Sequence, residues 1–304
     1  MTQHQALNWL DFQQRFSSEQ ACRDCLFKMR WPKGFQCPMC NHSRAYEVKK
    51  RRLFECTQCG YQASVTAGTI MHKTRTPLLV WFWAIYLVAN DERGTSAAQI
   101  SKQFGISYQT AWLMLHKIRK AMRDRDARYM LAGIVEIDDT MFGAPKEGGK
   151  RGRGSDKIKA VASLSITETG SPLYLKMQVV DDLQASTLSA IAGRVITPNT
   201  IVSTDLFRSY SQLGKDGYTH FPQEFNHRDD PGHLKWLHTI IGNAKAFITG
   251  TYHGLASKHM QAYLDEYCYR FNRRHFEGQL FNRLLNACVS ACTVTYDQLV
   301  NGLY

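Results

Sequence analysis

Six of the nine cysteines stand in three Cys-x-x-Cys pairs: Cys22/Cys25, Cys37/Cys40 and Cys56/Cys59. Two residues between cysteines form a tight knuckle that aims both thiolates at one ion. Two knuckles complete a tetrahedral S4 site, closed to water and therefore structural. Cys37-Pro-Met-Cys40, 15 further residues and Cys56-Thr-Gln-Cys59-Gly60 have the spacing of such a site, so these four are read as zinc ligands. Cys22/Cys25 falls in a segment that reads as helix, residues 19–29, with only His42 near enough to add a ligand; structural cysteines are expected there. Cys268, Cys288 and Cys292 lie in apolar segments and read as small core residues. A second kind of chemistry rests on acids: Asp138 and Asp205 each stand at the C-terminal end of a strand-like run.

These groups need elements to hold them. Between the zinc knuckles, residues 45–50 and 52–56 alternate as a β-hairpin whose tip, Lys49-Lys50-Arg51-Arg52, suits phosphates. Residues 95–122 read as a helix-turn-helix. Thr95 or Ser96 caps a short helix, Gly105 makes the turn and Ser107 caps a second helix. Ser107, Tyr108, Gln109 and Thr110 then lie at the end that enters a major groove, with Lys117, Arg119, Lys120, Arg123 and Arg125 along phosphates. Strands are expected at 133–142, 159–166, 173–180 and 200–205, with a helix over 185–194. A basic glycine-rich loop, residues 145–155, follows the first strand and carries Lys146, Lys150, Arg151 and Arg153. Three strands, a helix and a further strand resemble the ribonuclease H-like layout, in which acids at the ends of adjacent strands hold divalent metal.

The 304 residues are 44% hydrophobic and 21% charged, an ordinary globular composition with room for two or three domains. The net charge of +12 is uneven: residues 1–130 hold 20 basic and 9 acidic groups, residues 131–304 hold 18 and 17. A basic front half points to a polyanion partner. The longest apolar run, residues 78–89, is too short to span a bilayer, and no signal peptide is visible, so membrane and secreted classes are excluded. The fold class expected is a multidomain α+β and α/β chain. It comprises a zinc-ribbon region over 1–72, a helix-turn-helix region over 73–130, and a ribonuclease H-like domain over 131–304 with a mixed sheet flanked by helices and C-terminal helices.

The chain resembles prokaryotic insertion-sequence transposases of the DDE superfamily, in the ISXO2-like group with an N-terminal zinc ribbon and a DDxK signature. Carrying the resemblance are Arg30-Trp31-Pro32 and Gly34-Phe35 before the ribbon, and residues 66–71 with Trp81-Phe82 after it. Glu136-Ile137-Asp138-Asp139-Thr140, Thr204-Asp205 with Tyr210, Gly250-Thr251-Tyr252-His253 and residues 270–274 complete it. It implies catalytic Asp138 and Asp205, and a Lys, here Lys245, seven residues after a third metal ligand. The family usually has Glu or Asn at that third position; this chain has His238. A helical count agrees. Leu237, Ile240, Ile241, Ala244 and Ile248 make one stripe, and His238, Gly242, Lys245 and Thr249 a polar one. Seven residues raise Lys245 ~10 Å above His238 on the same face. Glu224 and Glu266 stand as alternative third acids.

What the resemblance implies is a transposase that binds the ends of its insertion sequence and catalyses metal-dependent DNA cleavage and strand transfer. It would carry structural Zn²⁺ and catalytic Mg²⁺ or Mn²⁺, and work as a homodimer or larger assembly on double-stranded DNA in the nucleoid-bearing cytoplasm. The alternatives are a zinc-ribbon and helix-turn-helix DNA-binding regulator with an inactive transposase-like domain, and a simple nuclease of the same fold.

Overall fold

The computed structural model describes residues 7–143, 153, 155–224, 232–276 and 278–302. Two compact units emerge: residues 1–125 together with 276–304, and residues 126–275.

The first unit opens with α1 (Trp9–Arg15) and α2 (Glu19–Arg30), started by side-chain caps from Asn8 and Ser18. An antiparallel sheet follows, β1 (Ala45–Val48), β2 (Leu53–Cys56) and β3 (Gln62–Ala63), with the expected basic turn between β1 and β2. Next is α3 (Leu78–Asn90), whose N-cap, Pro77, makes no side-chain capping bond. The Glu19 carboxylate from α2 accepts the Leu78 and Leu79 N–H groups instead, at 3.0 and 3.1 Å. No helix among the described residues is long and apolar enough to cross a membrane. Helices α4 (Ala97–Phe104) and α5 (Tyr108–Asp126) flank Gly105, whose left-handed φ of 62° ends the first of them.

The second unit is built on a five-stranded mixed sheet: β4 (Ile134–Phe142), β5 (Ile158–Ile166), β6 (Pro172–Val180), β7 (Ile201–Thr204) and β8 (Thr219–Pro222). Its order is β6-β5-β4-β7-β8; β4, β5 and β6 pair antiparallel, while β7 runs parallel to β4 and β8 parallel to β7. Three strands, α6 (Ala185–Val195) and a further strand appear in the expected places; β8 was not anticipated, because four residues carry too short a pattern. On one face, Val135, Ile137 and Val202 pack with Leu188, Ile191 and Val195 of α6 and with Tyr210. Between β7 and β8 lie a 3₁₀ turn (Arg208–Ser211) and the short α7 (Gln212–Lys215). Helix α8 (Lys235–Thr251) packs on β4 and β5, and α9 (Met260–Phe271) on β6. The expected apolar stripe of α8 is buried throughout: Leu237, Ile240, Ile241, Ala244 and Ile248.

The chain ends in α10 (Leu280–Ser290) and α11 (Tyr296–Val300). Here the expected boundaries, 73–130 and 131–304, need correcting, because residues 276–304 belong to the first unit. The reason is packing: the Phe281 ring lies within 5.1–6.1 Å of Phe12, Phe16, Phe82 and Tyr86. The other boundary moves to Asp126, which is tied into the second unit. Arg273 donates to its Oδ1 at 2.6 Å and Asn272 to its Oδ2 at 3.1 Å. Cys268 and Cys288 are core residues as expected, but Cys292 is exposed beyond the end of α10.

Asn272 is the joint of this clasp: it accepts from the Leu175 N–H at 2.7 Å and donates to the Leu175 carbonyl and the Tyr129 hydroxyl. Asn272→Ala strands buried polar groups on β6, and should lower unfolding free energy by about 2–4 kcal/mol in urea titrations.

Candidate functional site

In the ribbon, the Sγ atoms of Cys37, Cys40, Cys56 and Cys59 lie within 4.8 Å of one another. Cys37 and Cys59 are 3.6 Å apart, Cys40 and Cys56 3.5 Å. Tetrahedral zinc with 2.3 Å bonds would set its sulfurs ~3.8 Å apart, so the cluster fits that ion. Burial opposes charge on Cys37, but the N–H groups of Cys40 and Met39 outweigh it and bring the thiol down to about 7. Cys22 and Cys25 are not part of this group; burial pushes Cys22 up to about 12, as suits an inert structural thiol.

The basic tip Lys49, Lys50, Arg51 and Arg52 is exposed, although Arg51 also bonds Gln62 at 3.0 Å. At the start of α5, Ser107, Tyr108 and Gln109 are exposed and Thr110 half-buried, with Ser107 Oγ capping the Thr110 N–H at 3.1 Å. The middle of α5 differs from expectation. Lys117 is half-buried, which disfavours its charge, and Lys120 is ion-paired with Asp124 one turn on. The cause is that α5 buries Leu115, His116, Ile118 and Arg119, leaving little of that stretch for a ligand. Arg123 and Arg125 stay exposed. Arg151 lies outside the described residues.

The acids gather on β4 and β7. Parallel pairing of Ile137 with Thr204 brings Asp205, one residue past β7, beside Asp138. Side chains alternate along β4, so Glu136 and Asp138 face α8 while Asp139 faces the α6 side. His238 Nε2 lies 2.9 Å from Asp138 Oδ2. Lys245 is on the same helix face; burial lowers its pKa and the Asp138 carboxylate opposes this. Gly242 lies between them, and a Cβ there would meet nothing within 4 Å. Glu136 was not anticipated: burial pushes it up to about 7, against the Leu237 backbone hydrogen bond and the nearby His238. The alternative third acids sit elsewhere. Glu266 is buried in an ion pair with Arg270 at 2.9 Å, and Glu224 is exposed.

Arg153 departs from its expected role as a DNA contact. Its guanidinium spans Asp139 Oδ1 at 2.8 Å and Asp205 Oδ2 at 2.6 Å, and stacks 3.9 Å from the Phe207 ring. Asp138, Asp205 and His238 therefore stand as two adjoining groupings, an imidazole with Asp138 and a guanidinium with Asp205. Among the described residues, the four cysteines are the group whose ligand atoms all lie within 4.8 Å. Chemically the donors suit a divalent cation: oxygens and one imidazole nitrogen. The arginines of the 270–274 motif are occupied structurally. Arg270 holds Glu266, Arg273 holds Asp126, and Arg274 donates to the Leu173 and Pro172 carbonyls.

A cysteine-clamped ribbon and a mixed sheet with acids at its inner strand ends define a zinc-ribbon protein with a carboxylate-bearing α/β domain. Family models match both parts: a transposase zinc-ribbon domain at residues 17–62 and an ISXO2-like transposase domain at residues 130–272. The chain thus carries a match to each of the two domains, the ribbon ahead of the ISXO2-like domain. An uncharacterized transposase-like protein of Haemophilus influenzae is 29% identical over 106 residues, covering 34% of this chain and 84% of that one. The solved Mos1 mariner paired-end complex with Mn overlaps 68% of this chain and 77% of its own at 13% identity, with a TM-score of 0.26. The Mos1 paired-end complex with the left transposon end gives 69%, 79%, 10% and 0.18.

Replacing Cys37 or Cys56 by Ser should remove bound zinc, read by elemental analysis of the purified chain. The ribbon sheet should unfold with it, read as lost amide protection over residues 45–63, because structural zinc contributes folding energy directly.

Proposed function

We propose that this chain is a DNA transposase that binds the ends of its insertion sequence, cuts there and joins the freed 3′ end to target DNA. The observation that carries the reading is the 2.9 Å approach of His238 to Asp138, on the strand beside the one that ends at Asp205. Asp138, Asp205 and His238 would hold divalent cations. Bound there, such ions stabilise both the attacking and the leaving oxygen of an in-line phosphoryl displacement. Lys245, a compact cation on the same helix face, would hold a phosphate of the bound end. The open face at Gly242 leaves a DNA backbone room to approach.

The mixed sheet supports the ribonuclease H-like reading of the rear domain, and the α4–Gly105–α5 geometry supports the helix-turn-helix reading. Double-stranded DNA would be gripped by the ribbon tip Lys49–Arg52 and by Ser107, Tyr108, Gln109 and Thr110. Two ends must be brought together, which calls for a dimer or larger assembly in the nucleoid.

Asp138→Ala and Asp205→Ala should each drop cleavage and joining of end-bearing DNA to background while end binding in gel shifts persists. Unaltered cleavage in either variant refutes the assignment. A wild-type chain that binds ends but never cuts is the regulator; one that cuts and never joins is the nuclease. Because imidazole suits Mn²⁺ better than Mg²⁺, cleavage should also run faster in Mn²⁺ at equal concentration. Equal or greater Mg²⁺ activity counts against ligation by His238.

A further inference from the structure

The ribbon sheet has two unlike faces, because side chains alternate along each strand. One carries Glu47, Phe54 and Ala63; there Phe54 meets the rings of Phe27, Trp31 and Phe35, and Ala63 is buried. The other carries Tyr46, Glu55 and Gln62, which stand directly opposite one another across β1, β2 and β3. Tyr46 is 53% exposed, and Glu55 and Gln62 are half-buried, so this row looks outward.

The row is held by its own hydrogen bonds. The Tyr46 hydroxyl donates to Glu55 Oε1, Gln62 Nε2 donates to Glu55 Oε2 at 2.7 Å, and Arg51 Nη1 donates to Gln62 Oε1 at 3.0 Å. These bonds order the side chains yet leave capacity unused: a guanidinium, a carboxamide and a carboxylate each have more donors or lone pairs than such contacts occupy. Glu55 is the informative member. It lies on the strand that follows Lys49, Lys50, Arg51 and Arg52, and a surface built only to hold phosphates would bind better without its charge. A carboxylate there disfavours every duplex except one that brings an amino group to meet it, which is how an interface rejects wrong partners.

We infer that the outer face of the ribbon sheet enters the major groove of DNA and reads base sequence through Arg51, Gln62 and Glu55, while Lys49 and Lys50 hold the flanking phosphates. This rests on the DNA-binding reading of the ribbon and adds sequence recognition to it. The dimensions agree. Strands ~4.8 Å apart make the row ~10 Å long, about three base pairs, and the major groove, roughly 12 Å wide, admits a β-ribbon. The chemistry agrees as well: a guanidinium pairs with the O6 and N7 of guanine, a carboxamide with adenine, and a carboxylate accepts from the amino group of cytosine.

The test is selection by the full chain from a pool of duplexes with a randomised core, with the bound fraction sequenced. The wild-type chain should enrich a motif. Glu55→Gln and Gln62→Ala should each relax about three adjacent positions of it, with preference there falling about tenfold, and keep the rest. Glu55→Gln should also bind a fixed duplex lacking the motif more tightly than wild type, which the loss of a merely sheet-stabilising bond would not produce. Lys49→Ala combined with Lys50→Ala should instead weaken all sequences alike and lower the salt slope by about two. An unchanged motif in either folded ribbon variant, or no enriched motif in the wild-type chain, overturns the inference. Bound zinc reports the fold of each variant, and should Gln62→Ala lose it, Arg51→Met in the exposed turn decides in its place. Failure of the transposase reading looks different: ribbon variants that shift the motif of a chain that neither cuts nor joins DNA.

Discussion

Mutual repulsion among carboxylates is the constraint around which the second unit is arranged. Pairing β4 with β7 crowds Glu136, Asp138, Asp139 and Asp205 into one corner of the sheet. Burial makes the crowding worse, raising Glu136 to about 7 and raising Asp139 despite its arginine partner. The pleat divides the burden between two faces. Toward α8, the Leu237 N–H, His238 and Lys245 face Glu136 and Asp138; Arg153 answers Asp139, on the α6 side, and Asp205. Arg153 gains in return: although burial works against its charge, the two acids raise its pKa. Helix α8 is held over β4 by a wholly apolar stripe, so the histidine's placement depends on packing as much as on charge.

Much of this was legible in the chain before any coordinates. Regular patterns spoke clearly: the knuckle spacing of the four ribbon cysteines, the 3.6-residue stripe of α8, and the strand runs of β4, β5 and β6. His238 was singled out through the family resemblance, seven residues before Lys245, and the helical count agreed with that placing. What stayed hidden depends on tertiary partners. Nothing in the string Glu136-Ile137-Asp138-Asp139 says which acid meets α8 and which meets Arg153; only the docked helix distinguishes the two faces. Lys117 and Lys120 read as phosphate contacts because charge alone does not reveal that α5 is enclosed along its middle. The departure of residues 276–304 from the domain before them left no local trace either, since an amphipathic helix does not advertise which core it will join.

The ribbon illustrates how a small sheet survives. Its three strands are too short to bury a core, and the stabilising contacts come from a cluster of rings beside them. Phe27 and Trp31 of α2 and its end, with Phe35, meet Phe54 of β2 at centroid distances of 4.7–6.3 Å. Four thiolates close the other end. With the four cysteines and the aromatics sharing the task, the turn between β1 and β2 carries four consecutive exposed basic residues, of which Arg51 also bonds Gln62 and Arg52 pairs with Glu19.

Phe281 of α10 fills the space among aromatic rings from α1 and α3, so the first unit is assembled from segments that lie before and after the sheet domain in sequence. During synthesis the ribosome must therefore pass beyond α10 before that unit can close. A message broken by a frameshift or a premature stop downstream of α9 would yield a protein with a complete sheet domain but an unfilled aromatic cavity in its leading half. Copies of the gene cut short there would then produce unstable polypeptides.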